Sequence, residues 1–348
     1  MPGVLTRTRA ASPASLARAL ARARAAVRWD EWYDSKLPFA WTACASAAAG
    51  SPLGEGGVLR GTAAVILFTC LCAAFGHVAN DHADRDCDRA AGRLTPAGAL
   101  PTPVATLLLS ALGAAALGAL GVTASWTAAA AGSAAVALSA AYSLAPLRLK
   151  ARGAAGVWSA AAAQRTLPVL VAFAALRGLD AEAWAFAAVA QLSGIRWILV
   201  HQLLDAANDR RAGIATYAAA AGEAHVRMLL RRVVFPLELL ALVTALWIAA
   251  ARTPAVWAVA AAGALASGVW VWLWGGVRAP YSLEGYGRQP LAGFYQVVWP
   301  IGASALLAAS RPALWPVGAA FLLWEHHYVV SQLATCLRLV DRRASSTG

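Results

Sequence analysis

The sequence predicts an all-α protein, a polytopic bundle of nine to ten transmembrane helices around a central cavity. Three observations predict it. Hydrophobic residues make up 60% of the 348 residues and charged residues only 13%, about half the charged share of a soluble domain. Mean hydropathy is +0.58. The apolar residues gather into runs of about 20, the length that crosses a bilayer core, with the basic residues clustered between them.

A net charge of +12 would also suit a nucleic-acid binder. The short basic clusters between apolar runs are instead the pattern a bilayer imposes, so the bilayer is the expected partner and nucleic acid is not. The five cysteines, Cys44, Cys70, Cys72, Cys87 and Cys336, have neither metal-ligand nor disulfide spacing. They read as small apolar residues without a redox role.

Residues 1–36 form a basic N-terminal segment, with no acid before Asp30. Leu16, Leu20, Ala23 and Val27 make one helical stripe, and Arg18, Arg22, Arg24 and Arg28 lie off it. That arrangement predicts a helix lying on an anionic membrane surface. The composition also resembles a transit peptide, and the stripe favours the surface helix. Trp29, Trp32 and Tyr33 supply interfacial anchors. Spans are expected at 37–53, 59–80, 100–121, 124–145, 155–176, 182–204, 233–251, 254–275, 290–309 and 312–336, within a transmembrane domain over 37–336. Residues 337–348 then form a tail.

Ten spans put both termini on one side. That side collects 23 basic residues, against Arg60, Arg177, Arg252 and Arg311 on the other. The positive-inside rule makes the richer side cytoplasmic, in the cell membrane. Gln164, Arg165, Arg196, Glu238 and Glu325 fall inside spans. Each ionised group there costs roughly 3 kcal/mol on insertion scales, so these residues should line an interior cavity, pair with one another or sit near an interface.

The second span runs into Asn80-Asp81-His82-Ala83-Asp84-Arg85-Asp86-Cys87-Asp88. Asn80, Asp84 and Asp88 are four apart and share a helical face. Asp86 points elsewhere. Oxygen donors in this arrangement suit a hard cation such as Mg²⁺, which keeps waters and substrate phosphates around it. The sixth span ends similarly, with Asp205 and Asp209 four apart. Both clusters follow even-numbered spans and so emerge on the same side. Two acidic helix ends in a basic-rimmed chain suggest a two-lobed site for a metal-bridged diphosphate. After the fourth span, Pro146 breaks the helix in Tyr142-Ser143-Leu144-Ala145-Pro146-Leu147-Arg148-Leu149-Lys150. Arg148 and Lys150 there could meet phosphate.

These elements resemble the UbiA superfamily of intramembrane prenyltransferases. Asn80, Asp81, Asp84 and Asp88 match its first motif, and Asp205, Asp209, Gly213 and Thr216 its second. The segment from Tyr142 to Lys150 is similar to its loop between spans four and five, with wider Tyr-to-Lys spacing. Arg93-Leu94-Thr95-Pro96 is similar to its Arg-Pro turn, with the two residues separated. The resemblance implies Mg²⁺ held by Asn80, Asp84, Asp88, Asp205 and Asp209, with Asp84, Asp88, Asp205 and Asp209 as the catalytic carboxylates. It implies substrate contacts from Asp81, Arg85, Arg89, Tyr142, Arg148, Lys150 and Arg210. The expected activity is transfer of a prenyl group from a polyprenyl diphosphate to an aromatic or other lipophilic acceptor, whose identity the sequence does not select. His82 and His201 stand near the motifs as proton acceptors or as structural hydrogen-bonding residues. A terpene cyclase would use the same ionising motifs without an acceptor. A membrane transporter is a third reading, for which Arg165, Arg196 and Glu238 would line a path.

Overall fold

The computed structural model describes residues 13–90, 92, 94–211, 213–273 and 291–346. Arg93 and the side chain of Leu16 lie outside the described set. Among the described residues there are twelve helices and no strands. Helix α1 is Pro13–Ala26, α2 is Tyr33–Ala49 and α3 is Glu55–Ala90. Then come α4, Thr102–Leu120, α5, Trp126–Ser143, α6, Ala154–Leu176, and α7, Ala181–Arg211. Short α8, Tyr217–Ala221, leads into α9, Glu223–Arg252, and α10, Val256–Leu273. Last are α11, Phe294–Ser310, and α12, Trp315–Ser346.

Helices occupy all ten expected span positions. Six of them, α3, α4, α6, α7, α9 and α10, are long and apolar enough to cross a membrane. The first expected span differs in register: α2 begins at Tyr33 and ends at Ala49, four residues ahead of the apolar run at both ends. Its start is amphipathic, and burial of Leu37 together with Trp32 draws the helix back over the interfacial aromatics. Leu20 and Ala23 of the apolar stripe are exposed on α1, whereas Val27, just past its end, packs against a buried cluster with Val78 and Ala79.

The core gathers where α2, α3, α6, α7 and α11 meet. Phe39, Phe68, Phe173, Phe186 and Trp299 lie in one buried cluster filled out by alanines. Phe186 sits between Phe173 and Trp299, at centroid distances of 5.3 and 4.8 Å. Small residues let the helices approach closely, as membrane packing requires. By contrast α10 buries only Gly263 and Leu273 and turns Trp257, Leu265 and Trp272 outward.

Two features of this frame set up the site. First, α3 has 36 residues and α7 has 31, about 54 and 46 Å at 1.5 Å per residue. Both outrun a hydrocarbon core of about 30 Å and carry their last turns beyond it as intact helix. Second, α6, α9 and α11 each contain a π-turn, at Ala162–Thr166, Leu230–Val234 and Phe294–Val298. A proline stands two residues after each turn, at Pro168, Pro236 or Pro300. Proline has no N–H to give the carbonyl four residues back and crowds it. A widened turn relieves that crowding without ending the helix.

Candidate active site

Asn80, Asp84 and Asp88 stay helical to the end of α3, so the four-residue spacing does stack them on one face. Asp84 is the hub. Its Oδ1 accepts from Arg148 Nη2 at 3.0 Å, and its Oδ2 accepts from Lys150 Nζ. The same ammonium donates to Asn80 Oδ1 at 2.9 Å. Lys150 is buried, and burial pushes its pKa below the ordinary lysine value even though Asp84 works the other way.

The loop that delivers these cations is tightly built. The Ala145–Pro146 peptide is cis, and Arg148 holds a left-handed backbone, φ 37°, an uncommon conformation for a residue with a side chain. Gly156, at the start of α6, packs directly on the loop. A Cβ there would lie 2.6 Å from the Leu149 carbonyl oxygen and 3.0 Å from Lys150 Cα, so only glycine lets α6 approach.

The second acidic end forms on α7. Thr216 serves twice: its hydroxyl donates to Asp209 Oδ2 at 2.9 Å and caps α8 by accepting from Ala219 N at 3.4 Å. Gly213, at φ +68°, makes the turn that brings Thr216 back. This accounts physically for the glycine and threonine that follow the acidic pair. Asp205 lies 3.3 Å from His201 Nε2. Asp209 is within electrostatic reach of both Asp205 and Asp84, and Tyr142 is within reach of both Asp84 and Asp209. The two helix ends therefore face each other across Tyr142.

Asn80, Tyr142 and His201 line the mouth of a cavity of about 530 Å³, a size in the ordinary range for small-molecule sites. It descends past Gly76, His77 and Cys72 to Lys36, Gln164, Arg165, Gln296 and Tyr328. The other expected contacts stand apart. Arg85 donates to Thr102 Oγ1 at 2.8 Å, and Arg89 pairs with Asp86 at 3.3 Å. Arg210 is exposed at the end of α7. Asp81 is buried and turns away from the metal face to meet Arg28 Nη1 at 3.0 Å. Arg28, a cavity-lining residue, is hard to single out by sequence among so many N-terminal arginines. Lys36 and His77, 2.9 Å apart, were equally unmarked, although His77 sits one turn before Asn80 on the same face.

The motif donors are all oxygen, the set a hard divalent cation takes. Lys150 already places a positive charge between Asn80 and Asp84, so this corner is built to hold a cation. Among the described residues, no three acidic, histidine or cysteine side chains converge on a single point. The donors fit Mg²⁺ in kind as two half-sites.

A sequence profile described as the UbiA prenyltransferase family matches residues 37–283. The chain belongs to the UbiA prenyltransferase family. No curated protein matches its sequence significantly. Solved UbiA structures share the fold. A UbiA homologue from Archaeoglobus fulgidus bound to GPP and Mg²⁺ superposes with a TM-score of 0.59 at 16% identity, covering 85% of this chain and 99% of that one. An apo UbiA homologue from Aeropyrum pernix K1 gives 0.51 at 18% identity, covering 79% and 96%. With its UbiA fold and six long apolar helices, the chain is a multi-pass membrane protein.

Proposed function

We propose that this UbiA member is a Mg²⁺-dependent intramembrane prenyltransferase. It moves a prenyl group from a polyprenyl diphosphate to a lipophilic acceptor. The observation that carries the reading is the meeting of two acidic helix ends at the mouth of one interior cavity, with Arg148 and Lys150 poised on Asp84. The Archaeoglobus homologue has been captured with GPP or DMAPP together with Mg²⁺, which supports the same ligands here.

Asn80, Asp84 and Asp88 would hold metal on one half of the site, and Asp205 and Asp209 on the other. Bound Mg²⁺ supplies Lewis-acid stabilisation of the departing diphosphate. The protein's own part is placement. Thr216 orients Asp209 and Arg28 anchors Asp81. Arg148 and Lys150 stand where phosphate oxygens would compete with Asp84 for them. Arg85, Arg89 and Arg210 contribute positive charge at the rim. The bundle around the cavity excludes the water that would quench an allylic cation. Gln164, Arg165 and Gln296 in the depths of the cavity favour a transferase with a polar acceptor over a cyclase, whose folded hydrocarbon chain would have to lie against them.

Purified protein in detergent, given geranyl diphosphate and an acceptor panel, should release diphosphate only with Mg²⁺. Asp84→Ala and Asp205→Ala should each abolish the release while remaining folded, and full turnover by either variant would refute the assignment. We place the catalytic domain at 37–336 with the motif ends and both termini cytoplasmic. Inside-out vesicles should then turn over added substrate and right-side-out vesicles should not.

A further inference from the structure

We propose that a second pocket, separate from the central cavity, binds a phosphate group as its anion. The pocket is about 280 Å³, and its walls include His82, Arg85, Asp86, Thr102, Ser143 and Arg148. It shares no lining residue with the larger cavity. The walls come from the end of α3, the start of α4, and the junction of α5 with the loop that carries Arg148 and Lys150. The transferase reading does not require this pocket.

Hydrogen bonding points to a ligand there. Buried polar groups are nearly always paired. Among the described residues, three buried polar atoms of the lining side chains have no hydrogen-bond partner: His82 Nδ1, Ser143 Oγ and Arg148 Nε. Ser143 is only 1% exposed. The three stand on three different parts of the chain, so no single local irregularity accounts for them. A guanidinium Nε–H can only donate, a hydroxyl can donate, and an imidazole donates from Nδ1 in one tautomer. An acceptor with several oxygens answers all three at once.

Charge selects an anion over water. Asp84 is shared between Arg148, at 3.0 Å, and Lys150. Asp86 is shared between Arg85 and Arg89, at 3.6 and 3.3 Å, and its side chain is 78% exposed. Four cations thus lean on two carboxylates at this corner, and water offers the surplus no counter-charge. Arg85 is held at the pocket by its hydrogen bond to Thr102 Oγ1, at 2.8 Å. Thr102 is the first residue of α4, and the start of a long helix favours an anion. Arg148 belongs to both sites. Its Nη2 donates to Asp84, which leaves Nε for the pocket, so an anion there braces the loop that presents Lys150. Val104 and Leu107, near the start of α4, are exposed, which puts the pocket within reach of a lipid phosphate as well as of a free one.

Phosphorus-31 NMR on the full chain in a phosphorus-free detergent tests the site with inorganic phosphate, with EDTA present so that no metal assists. The unaltered protein should broaden the phosphate line. Thr102→Glu places a carboxylate beside Arg85, at a helix start that tolerates it, and should weaken binding about tenfold or more. Ser143→Ala removes one donor and should weaken it about threefold. Dioleoyl phosphatidate and glycerol 3-phosphate are then added as competitors. Displacement by phosphatidate at far lower concentration assigns the pocket to a lipid phosphate, and equal displacement by the two assigns it to a free one. No broadening by the unaltered protein overturns the proposal, whatever the variants do. So does displacement by neither competitor, or unchanged binding in folded Thr102→Glu and Ser143→Ala proteins. No prenyl diphosphate enters these measurements, so failure of the transferase reading would leave the pocket standing.

Discussion

Glu238→Gln should be among the most destabilising single changes in this protein. Arg196 and Glu238 are both fully buried, and two hydrogen bonds of 2.6 and 2.8 Å join them. They tie α7 to α9 at mid-bundle. Removing one partner strands the other charge in a medium that does not solvate it, at a cost of about 3–5 kcal/mol. The upper end applies here, because Arg165 also lies within electrostatic reach of both partners. Without Glu238, two buried guanidiniums would repel each other. Thermal unfolding in detergent followed by circular dichroism should show a fall of about 10–20 °C, using about 2–4 °C per kcal/mol for a chain of this order of size. Arg196→Met should cost a similar amount. Arg196→Met combined with Glu238→Leu should recover most of the loss, since apolar replacement of a whole buried pair is often neutral or stabilising. If each single change costs less than about 1 kcal/mol, on the scale of an exposed pair, then water reaches these charges and the buried-pair reasoning is wrong.

Arg28→Gln removes the cation bound to Oδ1 of Asp81, a buried carboxylate whose Oδ2 has no hydrogen-bond partner among the described residues. The N-terminal segment should then come away from α3 about 5–150-fold more often, the equivalent of 1–3 kcal/mol. Trypsin cleavage at Arg18, Arg22 and Arg24 should accelerate accordingly, and an unchanged rate would show that the segment is held elsewhere. Asp180, in the turn before α7, gives a pH signature. Burial opposes its carboxylate, but the hydrogen bond from Arg252 and the charges of Arg177 and Arg252 outweigh it and hold the pKa below the usual 3.8. A depressed carboxylate pKa stabilises the fold above the unfolded value and loses that contribution as pH falls through the folded one. The stability gap between the native protein and Asp180→Asn should therefore be constant above about pH 5 and close in stronger acid. A gap that widened in acid would contradict the sign.

The sequence made the spans and both acidic clusters legible for a local reason. Hydrophobic runs and four-residue spacings lie within one helix, and four carboxylates within nine residues stand out in a chain with few charges. Thr216 was legible only through resemblance, because its hydroxyl returns to Asp209 across a turn. Partners set by packing were not legible. Arg196 and Glu238 could each be read as buried, but nothing local says that they meet across 42 positions. The binding of Lys150 to Asn80, 70 positions away, depends on the close approach that Gly156 allows. Arg28 was hidden differently: the positive-inside pattern explains every N-terminal arginine equally well, so it marks none of them.

The π-turns bear on how such a site is altered over time. A π-turn is an α-helix carrying one residue too many, and one residue turns a helix by about 100°. Two of the three turns contribute polar cavity walls, Gln164 and Arg165 from one and Gln296 from another. The same residues in the same order, less one, would swing those side chains toward other neighbours while leaving both helix ends on their own sides of the bilayer. What the cavity presents to its guest is thus set by reading frame along the helix as much as by residue type. A single-codon insertion or deletion could re-line the chamber in one step, where point substitution would need several.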